Sequence, residues 1–122
     1  MVRSKTEPPS AICRGDLWVV DLNPTRGREQ SGRRPAVIVS VDLFNQGLAD
    51  LVVVAPITTK AKGIPFHVRI DPPEGGVKKT SFIKTDDVRS ISKQRLLKKW
   101  GTIGPQTIER VEHHLRILLG LS

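Results

Sequence analysis

A single cysteine, Cys13, leaves the chain unable to form an internal disulfide or a cysteine-based zinc site, which suits a reducing cytosol. Tyrosine is absent and the other aromatics are only Trp18, Phe44, Phe66, Phe82 and Trp100, so recognition by stacking has few candidates. The longest apolar run, residues 51–57, is far shorter than the ~20 residues a membrane-spanning helix needs. The first ten residues are polar, carry Pro8 and Pro9, and lack the apolar centre of a secretory signal. Also missing are a phosphate-binding P-loop, a dinucleotide fingerprint, an HExxH zinc motif and a GxSxG nucleophile elbow. These absences lead us to expect no metal, no cofactor and no membrane partner, in a soluble cytoplasmic protein. Negative charge is scarce as well. Twelve Asp and Glu stand against 20 Lys and Arg, a net charge of +8 with a pI near 10.3. Such a balance attracts polyanions, and nucleic acid leads the partners it suggests.

What is present fits one globular domain. Over 122 residues the apolar set with glycine reaches about 46%, and 26% of residues are charged, both usual for a folded protein. No repeat or low-complexity tract interrupts the chain. Residues 1–12 read as a flexible tail and 13–122 as a single domain. Runs rich in β-branched residues at 17–22, 35–41 and 51–58 read as strands, the last two central in a sheet. Residues 66–70 alternate apolar with polar, and 80–84 and 88–91 are further short strands. Residues 42–50 have room for one helical turn. The period then changes: Ile108, Val111, Leu115 and Leu118 share one helical face, with Gly104 as N-cap, Pro105 in the first turn and Gly120 just past the end. The fold expected is mainly β with a C-terminal helix (α+β), a small partly closed β-barrel with the helix packed on it.

Candidate chemistry is concentrated in one stretch. Residues 23–34 hold two Gly, one Pro and four Arg with almost nothing apolar, and so read as a long basic loop. Arg34 immediately precedes Pro35 and an apolar strand, where a guanidinium can be held in a fixed direction. Thr58 ends another buried strand, so its hydroxyl can reach the same mouth. Arg26, Arg28, Arg33, Lys60 and Lys62 are the expected phosphate contacts, with Thr59 beside them. The three histidines, His67, His113 and His114, lack the spacing of a metal pair. Trp18 and Trp100 read as core or interface residues, and Lys93, Arg95, Lys98 and Lys99 as a solvated face.

Several of these segments together resemble a known family. Residues 15–24 (GDLWVVDLNP), then Gly27, Glu29-Gln30, Gly32, Arg34-Pro35-Ala36-Val37, Pro56-Ile57-Thr58-Thr59 and Pro65 are similar to the MazF/PemK toxin endoribonucleases. The likeness is closest from Gly15 to Ile70 and looser through residues 92–96 to the final helix. It implies an SH3-like barrel of the MazF/Kid/CcdB type, a homodimer, and metal-independent cleavage of single-stranded RNA at short sequences. It further implies silencing by a cognate antitoxin whose acidic disordered segment covers the basic site, with DNA bound only through the antitoxin complex. Carried over residue by residue, the family's catalytic arginine falls on Arg34 and its catalytic threonine on Thr58. The Glu-Gln pair of its mobile substrate loop falls on Glu29 and Gln30. Position 28, commonly small and polar in relatives, is arginine here. The same barrel also serves CcdB-like toxins, which bind DNA gyrase and cut nothing; such a binder has no need of the Arg34 and Thr58 pair.

Overall fold

The computed structural model describes residues 11–22 and 32–122. The first ten residues of the expected tail, and Arg26, Arg28, Glu29 and Gln30 of the basic loop, lie outside the described residues. Within them the strands are β1 (Asp16–Asp21), β2 (Arg33–Ile38), β3 (Leu51–Thr58), β4 (His67–Ile70), β5 (Ser81–Lys84), β6 (Arg89–Ser92) and β7 (Leu96–Thr102). A single helical turn, α1 (Asp42–Asn45), lies between β2 and β3, and α2 (Pro105–Leu119) ends the fold. All the pairings are antiparallel, in the order β4-β5-β3-β2-β1-β7, with β6 also on β3. Among the described strands this order does not close on itself, so the barrel is partial.

The eight-residue β3 is the hub. Its first half pairs with β6, its last two residues with β5, and its other edge with β2. Such a strand is buried on both faces, and this accounts for its unbroken apolar run. On one side Leu17, Val37, Ala55, Ile57, Ile83 and neighbours form a core that α2 covers with Ile108, Val111 and Leu115. On the other side Val20, Ala36, Ile38, Val52 and Val54 pack with Ile91, Trp18 and Leu96.

The ends of α2 follow the sequence pattern, with Gly104 at the N-cap, Pro105 in the first turn and Gly120 left-handed at φ 69°. Gly104 has no side chain to cap the helix, and Glu74 substitutes from a distance. Its Oε2 accepts the Gly104 N–H at 2.9 Å and the Thr107 hydroxyl at 2.5 Å. This ties α2 to the 3-10 turn Glu74–Gly76, which is pressed against β1 and β7. A Cβ on Gly75 would come within 2.8 Å of Leu17 Cδ1, and one on Gly76 within 2.7 Å of the Trp100 carbonyl oxygen. With φ of 65° and 85°, only glycine meets both demands.

Three expectations need correction. Arg33 and Arg34 are not loop residues but open β2, opposite Asp21 and Val20. The segment 96–102, not expected as a strand, is β7. It escapes a period-two reading because its register on β1 shifts twice. Leu17 pairs with Gly101 but Trp18 with Lys99, and Val19 pairs with Lys98 but Val20 with Leu96, so Trp100 and Leu97 are the extra residues of two bulges. The basic run is only partly a solvated face. Lys93 donates to the Gly47 carbonyl at 3.1 Å and Arg95 to the Asp21 carbonyl at 3.0 Å, while Lys99 lies 3.3 Å from the buried Asp16 carboxylate.

Candidate functional site

The β2–β3 ladder runs from Ile38–Val54 to Ala36–Pro56 and ends there. Pro35 and Pro56 have no N–H to give, so they weaken further pairing. Continuing the same register by two residues sets Arg34 opposite Thr58, on one face of the sheet. Both side chains line a groove of about 610 Å³. Its near wall is Arg34 and Pro35 of β2 with Ile57 and Thr58 of β3, continued by Thr59, Lys60 and Lys62. The far wall is Val77, Lys78 and Lys79, with Ser81 and Lys84 of β5 and Trp100 of β7. The lining thus carries one arginine and five lysines and no carboxylate, among the described residues.

Local backbone chemistry orients Thr58. Its Oγ1 accepts the Lys60 N–H at 3.1 Å in a short turn beyond the strand. A hydroxyl that accepts in this way keeps its proton to donate to an incoming oxygen. Arg34 is carried on a strand paired to β1, which fixes where its side chain starts. Arg33, its neighbour, does not line the groove, as alternation along a strand requires. Lys60, Lys62 and Thr59 are brought to the groove with Arg34 and Thr58. Residues 26 and 28–30 are outside the described residues.

Sequence reasoning missed Lys78, Lys79, Lys84 and the placement of Trp100. The Lys78-Lys79 doublet follows Gly75-Gly76, and that pairing of a tight turn with a basic dipeptide was the available signal. The docked turn brings the doublet to the groove. The histidines lie elsewhere. The His67 side chain is only 2% exposed, with Nε2 3.3 Å from Asp86 Oδ1 but no well-formed hydrogen bond. His114 Nδ1 is 2.8 Å from the Arg110 carbonyl, and the His113 and His114 rings meet edge to face. Among the described residues no group of three His, Cys, Asp or Glu side chains is placed to hold a metal ion, and no helix is long and apolar enough to cross a membrane.

Residues 13–119 match the family described as PemK-like, MazF-like toxins of type II toxin-antitoxin systems. The chain belongs to this PemK/MazF toxin family. Solved structures agree in fold. MazF from Deinococcus radiodurans is 31% identical, with a TM-score of 0.79 over 91% of this chain and 98% of that one. A MazE–MazF complex from the same organism matches at 31% identity and TM-score 0.76, over 92% and 98%. A mycobacterial endoribonuclease in complex with its cognate antitoxin matches at 26% and 0.74, over 93% and 97%. For this PemK/MazF member the partial sheet with its C-terminal helix is therefore the family's fold, and the cationic groove lies at the end of the β2–β3 ladder.

Proposed function

We propose that this toxin is a sequence-specific, metal-independent endoribonuclease that cleaves single-stranded RNA in the groove lined by Arg34 and Thr58. The observation that carries the reading is that those two residues, from adjacent strands, both line a groove that holds six cationic residues and, among the described residues, no acidic one. The family and its relative, the mycobacterial endoribonuclease, support the reaction class.

The neighbouring ribose supplies the nucleophile, since its 2′-OH is tethered beside the phosphorus at high effective concentration. The 2′-oxygen forms a new bond to phosphorus and loses its proton. The bond from phosphorus to the 5′-oxygen breaks, and that oxygen takes up a proton. The products are a 2′,3′-cyclic phosphate and a 5′-OH. Charge gathers on the two non-bridging oxygens in the pentacoordinate state, where the Arg34 guanidinium meets it with paired hydrogen bonds. A guanidinium does not give up its proton in proteins, so Arg34 acts here as a fixed cation rather than as a base. Thr58 hydrogen-bonds the phosphate through its hydroxyl or aligns the 2′-OH, and Glu29 either accepts a proton or orients a base. Lys60 and Thr59, with Arg26, Arg28 and Gln30, contact the flanking strand, whereas Arg33, outside the groove lining, is left without that role.

The same positive groove suits an acidic disordered segment of a cognate antitoxin, which would occupy the RNA path and silence the enzyme. We assign the toxin a homodimeric state, a cytoplasmic setting, and DNA contact only through the antitoxin complex.

The test is Arg34→Ala against a long unstructured RNA. Loss of one transition-state donor costs about 3–4 kcal/mol, a rate at least ~100-fold lower with folding intact. A variant cutting at the wild-type rate refutes the role of Arg34. A folded, antitoxin-free wild type that cuts nothing turns attention to gyrase binding or to RNA binding without chemistry.

A further inference from the structure

Of the two tryptophans, only one is used inside the fold. Trp18 is half-buried against the second core, with its indole nitrogen 3.5 Å from Asp16 Oδ2. Trp100 is 41% exposed and lines the groove, and its indole N–H makes no hydrogen bond among the described residues. Its position follows from the β7 bulge. As the extra residue between the Leu17–Gly101 and Trp18–Lys99 pairs, it is released from the alternation that would otherwise aim it at the sheet's packed face. Its backbone is nevertheless held, because Gly76 packs directly on the Trp100 carbonyl and Cβ. The result is a large aromatic ring on a fixed base at the far wall of a cationic groove, beside Lys78 and Lys79. The other bulge residue, Leu97, is 45% exposed but does not line the groove.

We propose that Trp100 is a base-stacking platform for a nucleotide flanking the cleaved phosphate, with Lys78 and Lys79 holding the adjoining backbone. The proposal rests on reading the groove as an RNA site. Lysines track phosphates and carry no sequence information, whereas an aromatic face accepts any base and fixes where the strand lies. Trp100 therefore positions substrate and takes no part in the bond-making step. A polyanion with planar groups is the occupant that matches this combination of charge and ring. An acidic peptide would satisfy the lysines and leave the indole without a stacking partner.

The test uses the full chain and two fluorescent single-stranded DNA decamers, which lack the attacking 2′-OH. One is of mixed sequence, and the other is identical but with three central abasic sites. Wild type is expected to bind the base-bearing decamer more tightly by about 5- to 150-fold, the range for loss of one stacked base. Trp100→Ala is expected to lose most of that preference, Trp100→Phe to keep much of it, and Leu97→Ala to match wild type. Lys78→Ala with Lys79→Ala should weaken both decamers alike and reduce the salt dependence. A Trp100→Ala protein that keeps the preference overturns the proposal, as does a wild type that shows none. A change in oligomeric state with the preference intact also overturns it, since the ring then meets a second copy of the chain. Failure of the cleavage reading is separately visible: wild type would cut no RNA while the Trp100-dependent preference persisted.

Discussion

Replacing Glu74 by alanine should destabilise the fold and distort the groove together, although Glu74 touches neither Arg34 nor Thr58. Its carboxylate serves as the cap that Gly104 lacks, accepting the Gly104 N–H, and it also accepts the hydroxyl of Thr107, which is only 4% exposed. Loss of a helix N-terminal cap costs about 1 kcal/mol, and a buried hydroxyl stripped of its acceptor about another 1–2 kcal/mol. The Arg110 guanidinium at 3.4 Å cannot compensate, because it too is a donor to Thr107. A total of about 2–3 kcal/mol corresponds to a fall in Tm of about 8–12 °C for a domain of this size. Glu74→Gln keeps an acceptor oxygen and loses the favourable charge at the helix N-terminus, so it should lose less than half as much. Because the same turn leads into Lys78 and Lys79, Glu74→Ala should also weaken oligonucleotide binding. Thermal unfolding by circular dichroism with a binding titration checks both effects. A Tm within about 2 °C of wild type would refute the capping argument.

Thr58→Val keeps the shape of the side chain and removes the hydroxyl, so RNA cleavage should fall by about 10-fold or more in a single-turnover assay while folding is retained. Asp71 accepts hydrogen bonds from the Thr80 hydroxyl at 2.7 Å and from Arg69 Nε at 3.1 Å, which hold its carboxyl below its usual range. A depressed folded pKa gives stability that is present above the ordinary carboxylate value and is lost as pH falls through the lowered one. The Tm difference between wild type and Asp71→Asn should therefore shrink in acid; a constant difference across the titration contradicts this. Burial, and then the charges of Asp42 and Asp16, raise the Cys13 thiol above its ordinary pKa. Alkylation by iodoacetamide near neutral pH should be slower than for free cysteine, and faster in Asp42→Asn than in wild type.

The parts legible in the sequence are those where one physical constraint dominates. β3 is buried on both faces and reads as an unbroken apolar run, and α2 has one buried face and so a helical period. Gly120 marks the end of α2 because a left-handed residue is needed there. β7 was hidden by its bulges at Leu97 and Trp100, which break the alternation on which strand recognition depends. The candidate site was legible on its near wall only. Arg34 and Thr58 flank strand ends that the sequence announces through Pro35 and Pro56. The far wall depends on contacts between distant segments, the Gly75-Gly76 turn against Leu17 and Trp100, which no local pattern encodes. Trp18 and Trp100 looked equivalent for the same reason, since only the register on β1 separates them.

The most direct test of the account is to incubate purified, antitoxin-free protein with a long unstructured RNA in EDTA, to sequence the fragment ends and to assay them for 2′,3′-cyclic phosphate. Cuts at one short motif, ending in cyclic phosphate and 5′-OH and absent with Arg34→Ala, are the predicted result. Intact RNA in the presence of folded wild-type protein, or fragments carrying 3′-OH and 5′-phosphate ends, would contradict it.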